Sequence, residues 1–179
     1  VTPDKGQPDA IGVVNSLSAE QFPSVAIVQL GYNDDPNTMA SDVTQVINAL
    51  NARNVQRIIF VNLSTRRASQ NYALSNAALA AAAQTNPNVS VLDWNAASSA
   101  PSASRWFSDD VHLTTTGRAE FTLFLRNQLD SLRAQGLITP NPESVLPLAV
   151  PLTSGNKGEP VSALQKALNI ALDLKKKQK

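Results

Sequence analysis

The single histidine of the chain, His112, follows Asp109 by three residues in the run Trp106-Phe-Ser-Asp-Asp-Val-His-Leu-Thr. At this spacing a carboxylate can accept the Nδ1 proton of the imidazole and leave Nε2 free to take a proton from a nucleophile. These are the residue types of the base half of a Ser-His-Asp triad. The alternatives are a loop histidine without a role, and Asp110 as the partner or as a cap for the following helix. The spacing favours Asp109.

A second polar group, Gly31-Tyr-Asn-Asp, directly follows an apolar run. The amide of Asn33 is of the type that stabilises an oxyanion, although asparagine is also a common turn residue. Gly31 is more simply a residue that lets the chain turn tightly after a strand. Asp34 and Asp35 are equally good candidates for helix caps. Arg66-Arg67 either meets an anionic substrate or lies in a solvated loop.

Three short apolar runs rich in β-branched residues predict buried strands, at Val25–Leu30, Arg57–Asn62 and Val89–Asp93. The runs are nearly continuous rather than alternating, which is typical of parallel strands covered on both faces. Helical patterns surround them, at Pro8–Glu20, Met39–Asn54, Ser69–Thr85 and Thr115–Gln135, the last ending before Gly136. The alternation predicts an α/β protein with a three-layer α/β/α, doubly wound parallel sheet. Because ligands bind at the carboxyl ends of such strands, the two polar motifs are expected at one edge.

Composition excludes several other classes. The 179 residues suffice for one domain with a short appendage, and the formal net charge of +1 gives no reason to expect a nucleic-acid partner. The chain has no cysteine and one histidine, which argues against disulfides and against a conventional metal site. No run of 18 apolar residues is present, so no membrane span is expected. The sequence does not begin with Met, which fits a processed chain or a fragment.

Taken together, these motifs and their order resemble the SGNH (GDSL-type) hydrolases over roughly residues 5 to 133. Gly31 to Asp34 matches the third family block and Asp109 to His112 matches the fourth, while Gly6 matches the glycine of the second. The resemblance implies a flavodoxin-like fold, His112 as general base, Asp109 as its orienting carboxylate, and Asn33 with Gly6 in the oxyanion hole. We expect no cofactor and no metal.

The likeness extends to the branch of cell-envelope esterases and acyltransferases. It implies a serine esterase or O-acyltransferase acting on acylated carbohydrate or small esters, in a bacterial envelope or extracellular setting. The acyl group, the acceptor, and the choice between hydrolysis and transfer stay open. The first family block, a strand ending in Gly-Asp-Ser with the nucleophile, does not occur in the sequence. We therefore expect an N-terminally truncated sheet and a chain that is inactive as given.

Two alternatives to an inactive enzyme fragment remain. One is a non-catalytic SGNH-like scaffold or wall-binding module. The other is a circular permutation in which Leu146–Ser154 replaces the missing strand and Ser154 is the nucleophile. Pro147 and Pro151 disfavour the second alternative, because proline cannot donate the hydrogen bonds of a central strand.

The composition of the chain changes after Gly136. We expect residues 1–136 to form the SGNH-like domain. We expect residues 137–151 to be a linker, because four prolines occur in the fourteen residues from Ile138 to Pro151. Residues 152–179 are similar to the opening of a small peptidoglycan-binding helical domain, which implies peptidoglycan as a further partner. This segment is expected to be too short to fold alone.

Overall fold

The computed structural model describes residues 10–18 and 22–139. The helices are α1 (Ala10–Ser16), α2 (Met39–Asn51), α3 (Tyr72–Thr85), α4 (Trp94–Ser98) and α5 (Thr115–Ala134), with a 3₁₀ helix at Pro101–Trp106. The strands are β1 (Val25–Val28), β2 (Arg57–Val61) and β3 (Val89–Leu92). Gly6, Ser154, the linker beyond residue 139 and the segment 152–179 lie outside the described residues. None of the described helices has the length and apolarity needed to cross a membrane.

The three strands form one parallel sheet in the order β1-β2-β3. Val25 pairs with Arg57 across the first ladder, and Ile58 pairs with Val89 across the second. The predicted α/β class with parallel strands is therefore confirmed. Each strand begins at the first residue of its predicted apolar run. Each strand ends one or two residues before the end of that run. At the end of β3 the reason is local, because Asp93 leaves the strand to cap α4.

Strand β2 carries the core on both of its faces. Ile58 and Phe60 pack into one apolar cluster with residues of α2 and α3, while Ile59 and Val61 pack into a second cluster with α4 and α5. All four side chains are buried, as the unbroken apolar run of β2 requires. Burying both faces fixes the carboxyl end of β2, from which the following loop leaves.

Several local predictions are corrected by the structure. Helix α2 begins at Met39 with Thr38 as its N-cap residue, whereas Asp35 turns the preceding loop by accepting the main-chain N–H of Asn37 at 2.9 Å. The cap of α5 is Thr114, whose hydroxyl accepts the N–H of Gly117 at 3.1 Å. A capping role for Asp110 was thus wrong. Helix α4 and the 3₁₀ helix were missed, since they are too short to show an apolar period.

Candidate active site

The Asp109–His112 motif lies in a short loop between the 3₁₀ helix and α5. An isolated antiparallel bridge between Phe107 and Leu113 closes the base of this loop. Within it, the main-chain N–H of Ser108 donates to the carbonyl oxygen of His112 at 2.8 Å. The loop, residues 108–112, is called the Asp-His loop below. Its two ends adjoin regular structure, the 3₁₀ helix on one side and α5 on the other.

Asp109 uses both carboxylate oxygens within the loop. Oδ1 accepts the main-chain N–H groups of His112 at 2.7 Å and of Val111 at 3.2 Å. Oδ2 lies 2.7 Å from Nδ1 of the imidazole. The main-chain N–H of His112, and then its imidazole, hold the pKa of Asp109 well below the ordinary value. The carboxylate is therefore charged at neutral pH, and the facing Nδ1 carries the proton of the neutral ring.

The opposite ring nitrogen of His112 is open to approach. The side chain is 75% exposed. No hydrogen bond from another residue in the described part of the chain reaches Nε2. An imidazole that donates through Nδ1 and keeps Nε2 unprotonated and accessible is suited to act as a general base.

Asp110 does not share the imidazole with Asp109. It adopts a left-handed backbone conformation, with φ of 66°, and its Oδ1 lies 3.6 Å from Nε of Arg66. The pairing favoured from the spacing is the one the structure contains. Whether the Asp109–His112 pair acts in catalysis stays a prediction.

Arg66 and Arg67 have a role that neither sequence interpretation described. Nη2 of Arg67 donates to Oδ2 of Asp109 at 3.0 Å and to its main-chain oxygen at 3.1 Å. Arg66 lies with its guanidinium 5.7 Å from the ring centroid of Phe107 and donates to the carbonyl of Ser98 at 3.3 Å. Both arginines therefore anchor the Asp-His loop to the segment that follows β2. The partners are more than 30 residues away along the sequence, so no local pattern indicates these contacts.

The Gly31 motif turns away from the sheet directly after β1. Gly31 is buried with φ of 115°, and a Cβ at this position would lie 2.9 Å from Cδ1 of Leu63 and 3.0 Å from Cε of Met39. Its structural role is thus the tight, closely packed turn. Asn33, two residues later, is exposed, and its side chain makes no hydrogen bond to another described residue. Its amide is free to donate to a ligand.

Residues 62–67, called the central loop below, link the ends of all three strands. The N–H of Ser64 donates to Oη of Tyr32 at 2.9 Å, which connects it to the Gly31 motif. Nδ2 of Asn62 donates to Oδ1 of Asp93, which directly follows β3, at 2.8 Å. Arg67 supplies the contact to Asp109 described above. Burial raises the pKa of the Tyr32 phenol, and the hydrogen bond from Ser64 opposes that rise.

The structure therefore brings the two motifs to the same edge of the sheet through a common neighbour. The Gly31 motif contacts the central loop through Tyr32, and the Asp-His loop contacts it through Arg67. Gly6 lies outside the described residues, so its predicted place in the oxyanion hole stays a prediction. Within residues 10–18 and 22–139, no group of three or more histidine or acidic side chains is arranged to hold a metal ion.

No serine of the described chain completes a triad with His112. Ser64, at the same edge, is fully buried, and its hydroxyl has no hydrogen-bond partner. Ser108 is exposed but donates its hydroxyl to the carbonyl oxygen of His112 at 3.1 Å. In the described part of the chain, the Asp109–His112 pair is present, and no serine hydroxyl contacts its imidazole ring.

Comparison with known proteins adds no relative. No protein-family model matches the chain, and neither the curated proteins nor the solved structures contain a match to it.

Proposed function

We propose that the protein contributes the base and oxyanion parts of a serine-type ester hydrolase or O-acyltransferase with an SGNH-like, doubly wound α/β/α fold. The observation that carries the proposal is the 2.7 Å contact between Oδ2 of Asp109 and Nδ1 of an imidazole whose other nitrogen is exposed. The parallel sheet, with Asn33 in the loop that follows β1, supports the same interpretation.

In the proposed reaction, a serine hydroxyl attacks the ester carbonyl while Nε2 of His112 takes its proton. The amide of Asn33 donates to the carbonyl oxygen as it becomes negative, a type of contact worth about 3–4 kcal/mol in related chemistry. The ester C–O bond then breaks, and His112 returns the proton to the leaving alcohol. In the second half, water or a sugar hydroxyl attacks the acyl-serine while Nε2 of His112 takes its proton. The bond between the acyl carbon and the serine oxygen then breaks, and His112 returns the proton to that oxygen. The charge of Asp109 stabilises the imidazolium that forms in each half.

The proposed substrates are acyl esters of cell-envelope carbohydrate, with peptidoglycan as a further partner and an extracellular or envelope location in a bacterium. All three proposals derive from the sequence resemblance. The serine would come from a Gly-Asp-Ser block that the sequence does not contain. In this proposal the block forms a further strand beside β1.

An aryl-ester assay tests the proposal in two forms of the protein. The chain as given is expected to show no turnover above the buffer rate. The same chain with an added N-terminal strand segment ending in Gly-Asp-Ser is expected to gain turnover that His112→Ala abolishes. A serine-directed phosphonate should label only the added serine. Turnover by the chain as given, with label on Ser154, would favour the permuted arrangement instead.

A second candidate function is a non-catalytic scaffold. The observation favouring it is that no serine hydroxyl among the described residues contacts the imidazole ring of His112. A folded Gly-Asp-Ser-extended protein that neither hydrolyses esters nor reacts with the phosphonate would decide for the scaffold.

A further inference from the structure

The Asp-His loop is held together by local contacts but attached to the sheet by distant ones. The hydrogen bonds of Asp109 to Val111 and His112 span two or three residues, and that of Ser108 to His112 spans four. These bonds shape the loop without fixing where it lies. Arg67 reaches Asp109 across 42 residues of sequence and contacts it at both the side chain and the main chain. This arginine therefore connects the shape of the loop to the sheet edge.

Oδ2 of Asp109 is shared by the two groups of interest. It lies 2.7 Å from Nδ1 of His112 and 3.0 Å from Nη2 of Arg67. The Arg67 side chain is 34% exposed and that of Asp109 is 43% exposed, so the ion pair is only partly screened by water. A charge-assisted hydrogen bond from a planar guanidinium restricts the rotation of the carboxylate it meets. Oδ2 is thereby kept towards the ring.

We propose that Arg67 is a positioning residue of the Asp109–His112 pair, and that it holds Oδ2 where it keeps the imidazole proton on Nδ1. The proposal rests on the proposed function for its catalytic meaning, because Nε2 acts as a base only in this tautomer. Without Arg67, the contact between Oδ2 and the ring becomes intermittent. During the intervals in which it is broken, the neutral ring is free to carry its proton on Nε2 instead.

The tautomer can be measured directly, because His112 is the only histidine in the chain. We suggest recording the ¹⁵N shifts of both ring nitrogens at a pH high enough that the ring is neutral, shown by no further change on raising the pH. The two shifts give the ratio of the Nε2–H to the Nδ1–H tautomer. The variants are Arg67→Gln, which removes the charge, and Arg67→Lys, which retains it. Arg126→Gln is the matched control, since Arg126 lies on α5 and its Nε is 4.0 Å from Oδ2 of Asp130.

In Arg67→Gln we expect the ratio of Nε2–H to Nδ1–H to rise by about two- to fivefold, the factor typical of losing one exposed ion pair. In Arg67→Lys the ratio should be closer to that of the parent than in Arg67→Gln, and in Arg126→Gln it should equal that of the parent. A general loss of stability would lower the melting temperature without this pattern. An unchanged ratio in Arg67→Gln, or an equal change in Arg126→Gln, would overturn the proposal.

A salt titration of the parent protein decides the question if Arg67→Gln does not fold. Raising the salt concentration to about 1 M screens an exposed ion pair and should shift the ratio in the same direction, whereas a ratio independent of salt would overturn the proposal. The tautomer measurement needs no turnover. Absence of esterase activity in every form would therefore remove the proposed function while the tautomer result stood, and an unchanged ratio would remove the role of Arg67 while activity stood.

Discussion

At the scale of single residues, Asp109 combines an exposed position with an unusually complete set of hydrogen bonds. Its carboxylate accepts two main-chain N–H groups, the imidazole and a guanidinium, although the side chain is 43% exposed. Such bonds favour the charged form of a carboxylate. Acid should therefore discharge this group only well below the pH at which a free aspartate takes up its proton.

We predict that the pKa of Asp109, measured from its carboxyl ¹³C shift, lies clearly below the ordinary value of 3.8. In His112→Ala the pKa should rise only part of the way to 3.8. The largest cause of the lowering is the main-chain N–H of residue 112, which alanine retains. The pKa of Asp109 is lower in the folded chain than the ordinary value of 3.8. The charged carboxylate therefore stabilises the loop at pH values above 3.8, and this stabilisation is lost as the pH falls towards the folded pKa. A full return to 3.8 in His112→Ala would contradict the assignment.

A second prediction separates the two adjacent aspartates. In the Gly-Asp-Ser-extended protein, Asp109→Asn should lower ester turnover by roughly 10²- to 10⁴-fold, because an amide facing Nδ1 favours the wrong tautomer. Asp110→Asn is the matched control and should retain most of the turnover, since Asp110 faces Arg66 rather than the ring. The measurement is kcat with an aryl ester at neutral pH. Equal losses in the two variants would show that the effect comes from the charge of the loop and not from the pairing.

Sequence could predict the Asp109–His112 pairing because the two residues lie within one turn of the chain. Spacing alone determines whether such a contact is possible. Sequence could not predict the contacts of Arg67 or of the central loop, since they join segments 30 or more residues apart. Their geometry depends on the order of strands in the sheet. The residues that hold a site in place are thus harder to find from sequence than those that carry its chemistry.

At the scale of elements, the strands and the four longer helices were predictable from apolar runs and periods. The errors lie at their ends and in short pieces. Helix α3 begins at Tyr72 rather than Ser69, because Asn71 caps it by accepting the N–H of Leu74. Helix α4 has only five residues, and its start is fixed by Asp93, which accepts the N–H of Ala96 at 2.9 Å. Capping side chains, not apolar spacing, determine these boundaries.

The tight turn after β1 depends on Gly31. Gly31→Ala should lower the free energy of unfolding by about 2–4 kcal/mol, since it adds strain at φ of 115° and a close contact with Leu63 and Met39. Gly136→Ala is the matched control. It also has a positive φ, 71°, but a Cβ there meets nothing within 4 Å, so the cost should be about 1 kcal/mol. Urea denaturation measures both. Equal losses would mean that packing at Gly31 contributes nothing.

At the scale of the whole molecule, the two faces of the sheet are covered unequally. In the register of the first ladder, Ile27 lies beside Ile59, which is fully buried in the core cluster of α4 and α5. Ile27 itself is 46% exposed. Helix α5 therefore covers β2 on this face and leaves part of β1 open. Sequence could not predict this, because the apolar run of β1 looks like that of any strand buried on both faces.

The edge of β1 has a further consequence for the behaviour of the protein in solution. Among the described strands, β1 pairs only with β2, and its four residues, Val-Ala-Ile-Val, include no charge and no proline. Uncharged edge strands are templates for pairing with another chain. The chain as given should therefore bind a hydrophobic dye and self-associate at high concentration.

We predict that Ile27→Lys reduces this self-association, as measured by sedimentation velocity and by dye fluorescence. A lysine at the edge introduces a charge that another strand would have to bury, which is how natural proteins protect such edges. Leu123→Lys is the matched control, because Leu123 is 51% exposed but lies on helix α5 rather than on a strand. It should lower dye binding slightly and leave the association unchanged. If both variants reduce association equally, the exposed apolar surface as a whole is responsible, and the edge of β1 has no special part in it.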